Sequence, residues 1–199
     1  MISVVVPTLN ERENLETLIP WIYESLEDMD LEVVVIDGHS TDGTRELIAD
    51  YTSKYPNLRF ILQSGRGFAN ALIEGILACR GDVIVTMDAE NHMPSEIPML
   101  LDKLNQGFDV VVGSRFLRDS EVDLQRKRFI TTRIANKIAS SLLELDVKDT
   151  SSGFRAYRAD IVKRVIETGV ETEYFSVQVE LLERIKAAGG RLGEVPTHY

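Results

Sequence analysis

The sequence predicts an α/β fold with a Rossmann-like, mostly parallel central sheet and helices on both faces. Three observations predict it. Short apolar runs of strand length alternate four times with stretches of helical periodicity before Gly113. The first, second and fifth runs are apolar almost throughout, as strands buried on both faces require. After four of the runs comes a polar cluster, so those clusters gather at one edge of the sheet, the edge where open α/β sheets bind ligands.

Each element follows from local chemistry. Residues 2–6 form the first strand, expected to stop at Pro7. Residues 11–27 carry Leu15, Leu18, Ile19, Ile22 and Leu26 at offsets of three and four, an amphipathic helix. Residues 32–36 form the second strand, then a turn-rich segment from Asp37 to Gly43 and a helix to about Tyr55. Residues 58–62 read as the third strand. Gly65-Arg66-Gly67 opens a helix with Ala69, Leu72, Ile73, Ile76 and Leu77 on one face, ended by Gly81. The fourth strand, 83–87, leads to Asp88-Ala89-Glu90; a helix at 94–104 starts with Pro94 and Pro98, and 109–112 form the fifth strand.

Beyond Gly113 a charged loop (115–123) precedes a long helix at about 125–143. Ile130, Ile134, Ile138 and Leu142 are among its apolar positions, with Arg126, Arg133 and Lys137 on another face. A polar turn at 149–155 follows, then helices near 160–167 and 174–188 and a last strand near 191–195. The chain reads as one domain, 1–199, with a nucleotide-binding half at 1–113 and an acceptor-side half at 114–199.

A chain of 199 residues, 44% hydrophobic and 27% charged, can build one core. The single cysteine, Cys79, rules out an internal disulfide and sits in an apolar-periodic stretch, as a buried thiol does. The net charge of -10 argues against a nucleic-acid partner. A compact anionic substrate remains compatible, because a metal or an arginine cluster reverses the field of one cleft. No run approaches the length of a spanning helix, and the N-terminus lacks a basic segment followed by a long apolar one. The expected location is the cytosol, peripheral at a membrane face.

The clusters carry the candidate chemistry. Asp88 and Glu90, two carboxylates one residue apart just past a strand, suit Mg²⁺ or Mn²⁺, with His92 a third candidate ligand. The plainer reading is a solvated acidic turn before Pro94. Asp37 is placed to accept hydrogen bonds from a base or ribose, or else to make a local turn. Asp42 is the expected cap of the following helix. Arg115 follows a strand directly and can clamp a phosphate, or pair at the surface. Arg126-Lys127-Arg128 reads as a solvated helix start or as a contact for an acceptor phosphate or anionic lipid.

VVVPTLNERENL, VVVIDGHSTDGT, MDAENHMP, VVGSRF and DTSSGFRAYR occur in this order. Together they resemble glycosyltransferase family 2, with its GT-A fold, and within it the dolichol- and polyprenyl-phosphate sugar synthases. The resemblance covers essentially the whole chain. It implies an inverting, metal-dependent transfer of a hexose from a nucleotide sugar of the GDP-mannose or UDP-glucose type to a polyprenyl phosphate. It also implies that Pro7, Thr8, Asn10, Glu11 and Asp37 line the nucleoside pocket. Asp88, Ala89 and Glu90 match the metal motif, His92 a position that completes the metal shell, and Arg115 and Arg128 the arginines at the acceptor phosphate. The turn Ser151-Ser152-Gly153-Phe154-Arg155 and Gln178-Val179-Glu180 match segments bordering the acceptor. The chain departs from the family at Gly38, where a second Asp is common, at Glu90, where Asp is common, and at His92, where Gln is common.

A phosphate acceptor needs cations rather than a general base, since it is largely dianionic at neutral pH. No Gln-x-x-Arg-Trp segment of the polysaccharide-synthase kind occurs; the only tryptophan is Trp21. Transfer to a saccharide or protein hydroxyl, and a catalytically silent nucleotide-binding domain, are the alternatives. A sugar-1-phosphate nucleotidyltransferase would want a glycine-rich loop after strand one, and Pro7-Thr8-Leu9-Asn10-Glu11 has no glycine.

Overall fold

The computed structural model describes residues 1–123, 125–172 and 174–199. Its centre is a seven-stranded sheet in the order β3-β2-β1-β4-β6-β5-β7. The strands are β1 (Ile2–Thr8), β2 (Leu31–Asp37), β3 (Leu58–Leu62), β4 (Val83–Thr86), β5 (Val110–Ser114), β6 (Arg155–Arg158) and β7 (Leu192–Pro196). The helices are α1 (Arg12–Ser25), α2 (Thr44–Thr52), α3 (Phe68–Ala78), α4 (Ile97–Leu104), α5 (Arg126–Leu142), α6 (Ala159–Glu167) and α7 (Val177–Ala187). A 3₁₀ turn, Pro94–Glu96, precedes α4. The α/β class and the parallel frame are as the sequence predicts.

Alternation of period two divides the core. Val4, Val6, Val33, Val35, Val85 and Val111 face the layer that holds α1, α2 and α4. Val5, Val34, Ile36, Ile84, Val110 and Val112 face the layer that holds α3, α6 and α7. Cys79 belongs to the second layer, and burial pushes its thiol up to about 12.

Three expectations need correction. First, β1 does not stop at Pro7 but runs on to Thr8, paired with Asp37. The Val5 carbonyl accepts from Met87 N–H on the β4 side, and the Thr8 carbonyl from Gly38 N–H on the β2 side. Pro7 therefore turns its nitrogen toward β4, where pairing has already ended at Val5, and the missing N–H costs no ladder bond. Second, α3 ends at Ala78, before Gly81. Gly81 serves close packing instead, since a Cβ there would lie 2.7 Å from the Met1 carbonyl and 2.9 Å from Ser3 N.

Third, the polar turn at 149–155 feeds an unforeseen strand. β6 is antiparallel to both β4 and β5 and lies between them. Arg155 hides the signal, because it is fully buried yet charged. Its Nε donates to Ser152 O (2.7 Å), its Nη1 to Gln178 O (2.6 Å) and its Nη2 to Thr150 O (2.7 Å). Three carbonyls thus replace the water that the guanidinium would otherwise need.

Helix α5 is turned in an unusual sense. Asn136 is its only buried residue, while Ile130, Ile134, Ile138 and Leu142 are 46–77% exposed. The apolar stripe faces outward, away from the sheet.

Candidate functional site

The carboxyl ends of β1 to β4 and the start of α3 surround a cavity of about 490 Å³. Pro7, Thr8, Glu11, Asp88, Ala89, Glu90 and Arg128 line it, all of them residues singled out from the sequence. Asn10, Asp37, His92 and Arg115 do not line it; of their side chains, that of His92 hydrogen-bonds to a lining residue, Asp88.

Asn10 has a positive φ of 56°, which an Asn tolerates better than most residues. Its N–H donates to Ser40 Oγ (2.8 Å) and its Oδ1 accepts from Thr41 N–H (2.9 Å). It staples the loop after β1 to the loop after β2. Asp42, expected to cap α2, stands one residue before the cap, which is Gly43; it accepts the N–H of Thr44 (3.0 Å) and of Arg12 (3.1 Å) and so ties the start of α2 to that of α1. Asp37 is fully buried, and its Oδ2 accepts from Ser40 N–H (3.0 Å). Its Oδ1 is enclosed and has no partner among the described residues. A buried carboxylate oxygen left without a donor is costly, and this one lies next in the chain to Gly38, a cavity residue.

Asp88 keeps 38% of its side-chain surface open, yet its surroundings push the carboxyl up to about 6. Burial is the main cause; Glu90 and Glu11 add to it and Arg115 opposes it. A cation bound there would offset both the burial and the repulsion from Glu90 and Glu11. Gly153 backs onto this carboxylate: a Cβ would meet Asp88 Oδ1 at 2.8 Å. The Thr86 hydroxyl holds the Gly153 carbonyl at 2.7 Å, so the backbone cannot easily retreat.

The fit to a divalent cation rests on Asp88 and Glu90. Two carboxylates on one cavity suit a hard cation that takes its other ligands from water and a diphosphate. Among the described residues, no three His, Cys, Asp or Glu side chains converge on one point. His92, expected as the third ligand, is turned inward. Its Nδ1 accepts the Asp88 N–H (3.0 Å), and the ring stacks on Phe154 with centroids 5.1 Å apart. Burial, aided by Arg115, pushes its pKa down to about 3, so the ring is neutral. In this arrangement it positions Asp88 from behind.

Arg115 is likewise engaged. Its Nε and Nη2 grip Asp149 at 2.7 and 2.8 Å, and Nη2 also donates to Ser151 Oγ (2.8 Å). Nη1 makes no bond among the described residues, and the guanidinium lies 5.0 Å from the centre of the Tyr199 ring. Asn136 of α5 ties the turn down: its Oδ1 accepts from Thr150 N–H (2.7 Å) and Ser151 N–H (3.0 Å). Arg128, in the first turn of α5, opens on the cavity.

Sequence reasoning missed Leu9, Gln63, Gly67, Phe68, Ala71, Phe175 and Tyr199, which also line the cavity. Gln63 follows β3 at the same sheet edge, so the edge argument could have found it. Phe68 and Phe175 stack with centroids 4.5 Å apart, a flat wall suited to a base. They come from distant segments, and no local pattern pairs them.

A cavity at the carboxyl edge of a parallel sheet, with one wall aromatic and another acidic, sits where open α/β domains bind their ligands. Comparison narrows the class: the chain matches Glycosyl transferase family 2 over residues 3–166 and belongs to that family. It is similar to the dolichol-phosphate mannosyltransferase of Pyrococcus furiosus, 35% identical over 98% of this chain and 55% of that one. The chain thus spans about half the length of that relative. The polyprenol monophosphomannose synthase of Mycolicibacterium smegmatis is 29% identical, over 98% of this chain and 76% of the relative. Among solved structures, glucosyl-3-phosphoglycerate synthase from Mycobacterium tuberculosis, in complex with Mn²⁺, uridine diphosphate and phosphoglyceric acid, superposes with a TM-score of 0.71. At 22% identity, covering all of this chain and 70% of that one, it establishes the shared GT-A fold.

Proposed function

We propose that this chain transfers a hexose from a nucleotide sugar to a polyprenyl phosphate, with inversion, at a membrane surface. One observation carries the reading: the acidic pair Asp88 and Glu90, the aromatic wall and Arg128 all face one cavity. Both curated relatives are named for mannosyl transfer, which favours mannose as the sugar. The nucleotide is GDP or UDP.

Phe68 and Phe175 would stack on the base, and the unpaired Asp37 Oδ1 would accept from a base N–H or ribose hydroxyl. Asp88 and Glu90 would hold Mg²⁺ or Mn²⁺, whose charge neutralises the diphosphate leaving group. Gly153 and His92 keep Asp88 in place for that task. Arg128 and the free Nη1 of Arg115 would hold the acceptor phosphate. A phosphate oxygen then attacks the anomeric carbon, the bond to the diphosphate breaks, and its electron pair leaves on the diphosphate. No general base is required, because the acceptor arrives largely deprotonated. Among the described residues no helix is long and apolar enough to cross a membrane. The outward stripe of α5 supports peripheral association.

The test is transfer from radiolabelled GDP-mannose and UDP-glucose, each with polyprenyl phosphate in detergent micelles and Mn²⁺. Label in the organic phase, lost with Asp88→Ala and with Arg128→Ala, is the expected result. Label appearing on an added saccharide, with none on lipid, would overturn the acceptor class.

A further inference from the structure

On the flank of α5 away from Arg128 lies a cavity of about 550 Å³ that the proposed reaction does not use. Arg133, Lys137 and Lys148 line it, with Ser141 and the apolar side chains of Phe116 and Leu145. Glu144 is the one acidic residue of its wall. The cavity shares Phe116 and Arg133 with a neighbouring one of about 450 Å³, whose wall adds Arg118 and Arg126 and also Arg115, already paired with Asp149. The two form a trough along the helix.

Among the described residues, Arg118, Arg126, Arg133, Lys137 and Lys148 make no side-chain ion pair or hydrogen bond. That is informative in this chain. It has 32 acidic residues against 22 Lys and Arg, so carboxylate partners are abundant, yet none turns to these cations. Unpaired cations gathered in one concavity create a local positive potential in a protein of net charge -10.

The helix geometry says where the anion comes from. At 100° per residue, Arg126, Arg133 and Lys137 fall on one stripe. Ile130, Ile134, Ile138 and Leu142 fall about a quarter turn further round, and all four are exposed. An amphipathic helix that lies in a bilayer surface has this pattern, with apolar side chains at the acyl boundary and basic ones at headgroup level. A soluble phosphate would explain the trough but not the isoleucines beside it. We propose that the trough is a second anion site, which binds the phosphate headgroups of anionic phospholipids as α5 rests on the membrane. This rests on the peripheral association proposed above and names the lipid class that supports it.

The experiment is vesicle co-sedimentation without any donor, using phosphatidylcholine vesicles with and without phosphatidylglycerol. The wild-type chain should prefer the vesicles containing phosphatidylglycerol, and added salt should weaken that preference. Each neutralised cation near the surface should cost about fivefold. The triple variant Arg133→Gln/Lys137→Gln/Lys148→Gln should therefore bind those vesicles about a hundredfold more weakly. Arg133→Lys/Lys137→Arg/Lys148→Arg, which keeps the charges, should retain binding. Equal binding to both kinds of vesicle, or no loss in the triple variant, would overturn the proposal. So would competition by millimolar inorganic phosphate with no preference for phosphatidylglycerol, which would make the trough a site for a soluble anion. Donor binding, measured in parallel by calorimetry, should be unchanged in the triple variant. Its absence from the wild-type chain, with vesicle preference intact, would sink the catalytic reading and leave the lipid site standing.

Discussion

Arg115 and Asp149 meet through two parallel hydrogen bonds of 2.7 and 2.8 Å, with Asp149 fully shielded from water. The pair joins the loop after β5 to the turn before β6. Asp149 also accepts the N–H groups of Arg115, Ser151 and Ser152. One carboxylate thus organises the turn that backs the acidic pair, and it fixes which guanidinium nitrogen is left over.

Removing one partner of such a pair strands the other charge in a dry site. Asp149→Asn should cost about 3–5 kcal/mol in urea unfolding. Arg115→Met with Asp149→Asn should cost clearly less than the sum of the two single changes. Strict additivity would mean that the bonds contribute little.

Gly153→Ala tests how tightly Asp88 is held. The added Cβ would lie 2.8 Å from Asp88 Oδ1, and the Thr86 bond restrains the backbone. The carboxylate should move, and Mn²⁺-supported nucleotide binding should weaken about tenfold, roughly 1.4 kcal/mol. Calorimetry on the folded variant reads this; unchanged affinity would show that Asp88 has room to spare.

The stripe on α5 should be dispensable for folding. Ile134→Ser and Ile138→Ser replace side chains that are each 55% exposed and should change stability by less than about 0.5 kcal/mol. Ile19→Ala or Ile36→Ala, both fully buried, should cost about 2–5 kcal/mol. Thermal melts of the four variants separate a surface stripe from a core one.

The parallel frame and about half of the cavity wall were legible because both depend on local pattern. Val33, Val34, Val35 and Ile36 read as a buried strand, and Asp37 after them reads as an edge residue. Legibility failed where a charged residue is enclosed by partners that only the folded chain brings round it. Arg155 looks like part of a polar turn until three carbonyls enclose it as β6. Arg115 looks like an open phosphate clamp until Asp149 takes two of its nitrogens. Ile130 and Ile134 have the spacing of a core stripe, and only the placement of Asn136 shows that the helix faces the other way. Phe68 and Phe175 could not be paired from sequence, since their contact joins the start of α3 to the turn before α7.

Asp88 gives the site a pH signature. Its pKa is raised from 3.8 to about 6, so the folded state holds this proton more tightly than the unfolded state. The stabilisation is fully present below about pH 3.8 and is lost as pH rises through about 6. A cation competes with the same proton, so the rise in melting temperature on adding Mn²⁺ should shrink as pH falls through about 6. Asp88→Asn should abolish that dependence. An identical Mn²⁺ effect at pH 5 and pH 7.5 would place the cation elsewhere.

The most direct test is calorimetric titration with GDP-mannose and UDP-glucose in parallel, with and without Mn²⁺, on the wild-type chain and on Asp88→Ala. The account predicts that one of the two binds, that Mn²⁺ strengthens it, and that Asp88→Ala removes the Mn²⁺ effect while the protein stays folded. Folded protein that binds neither nucleotide sugar with Mn²⁺ present would contradict it.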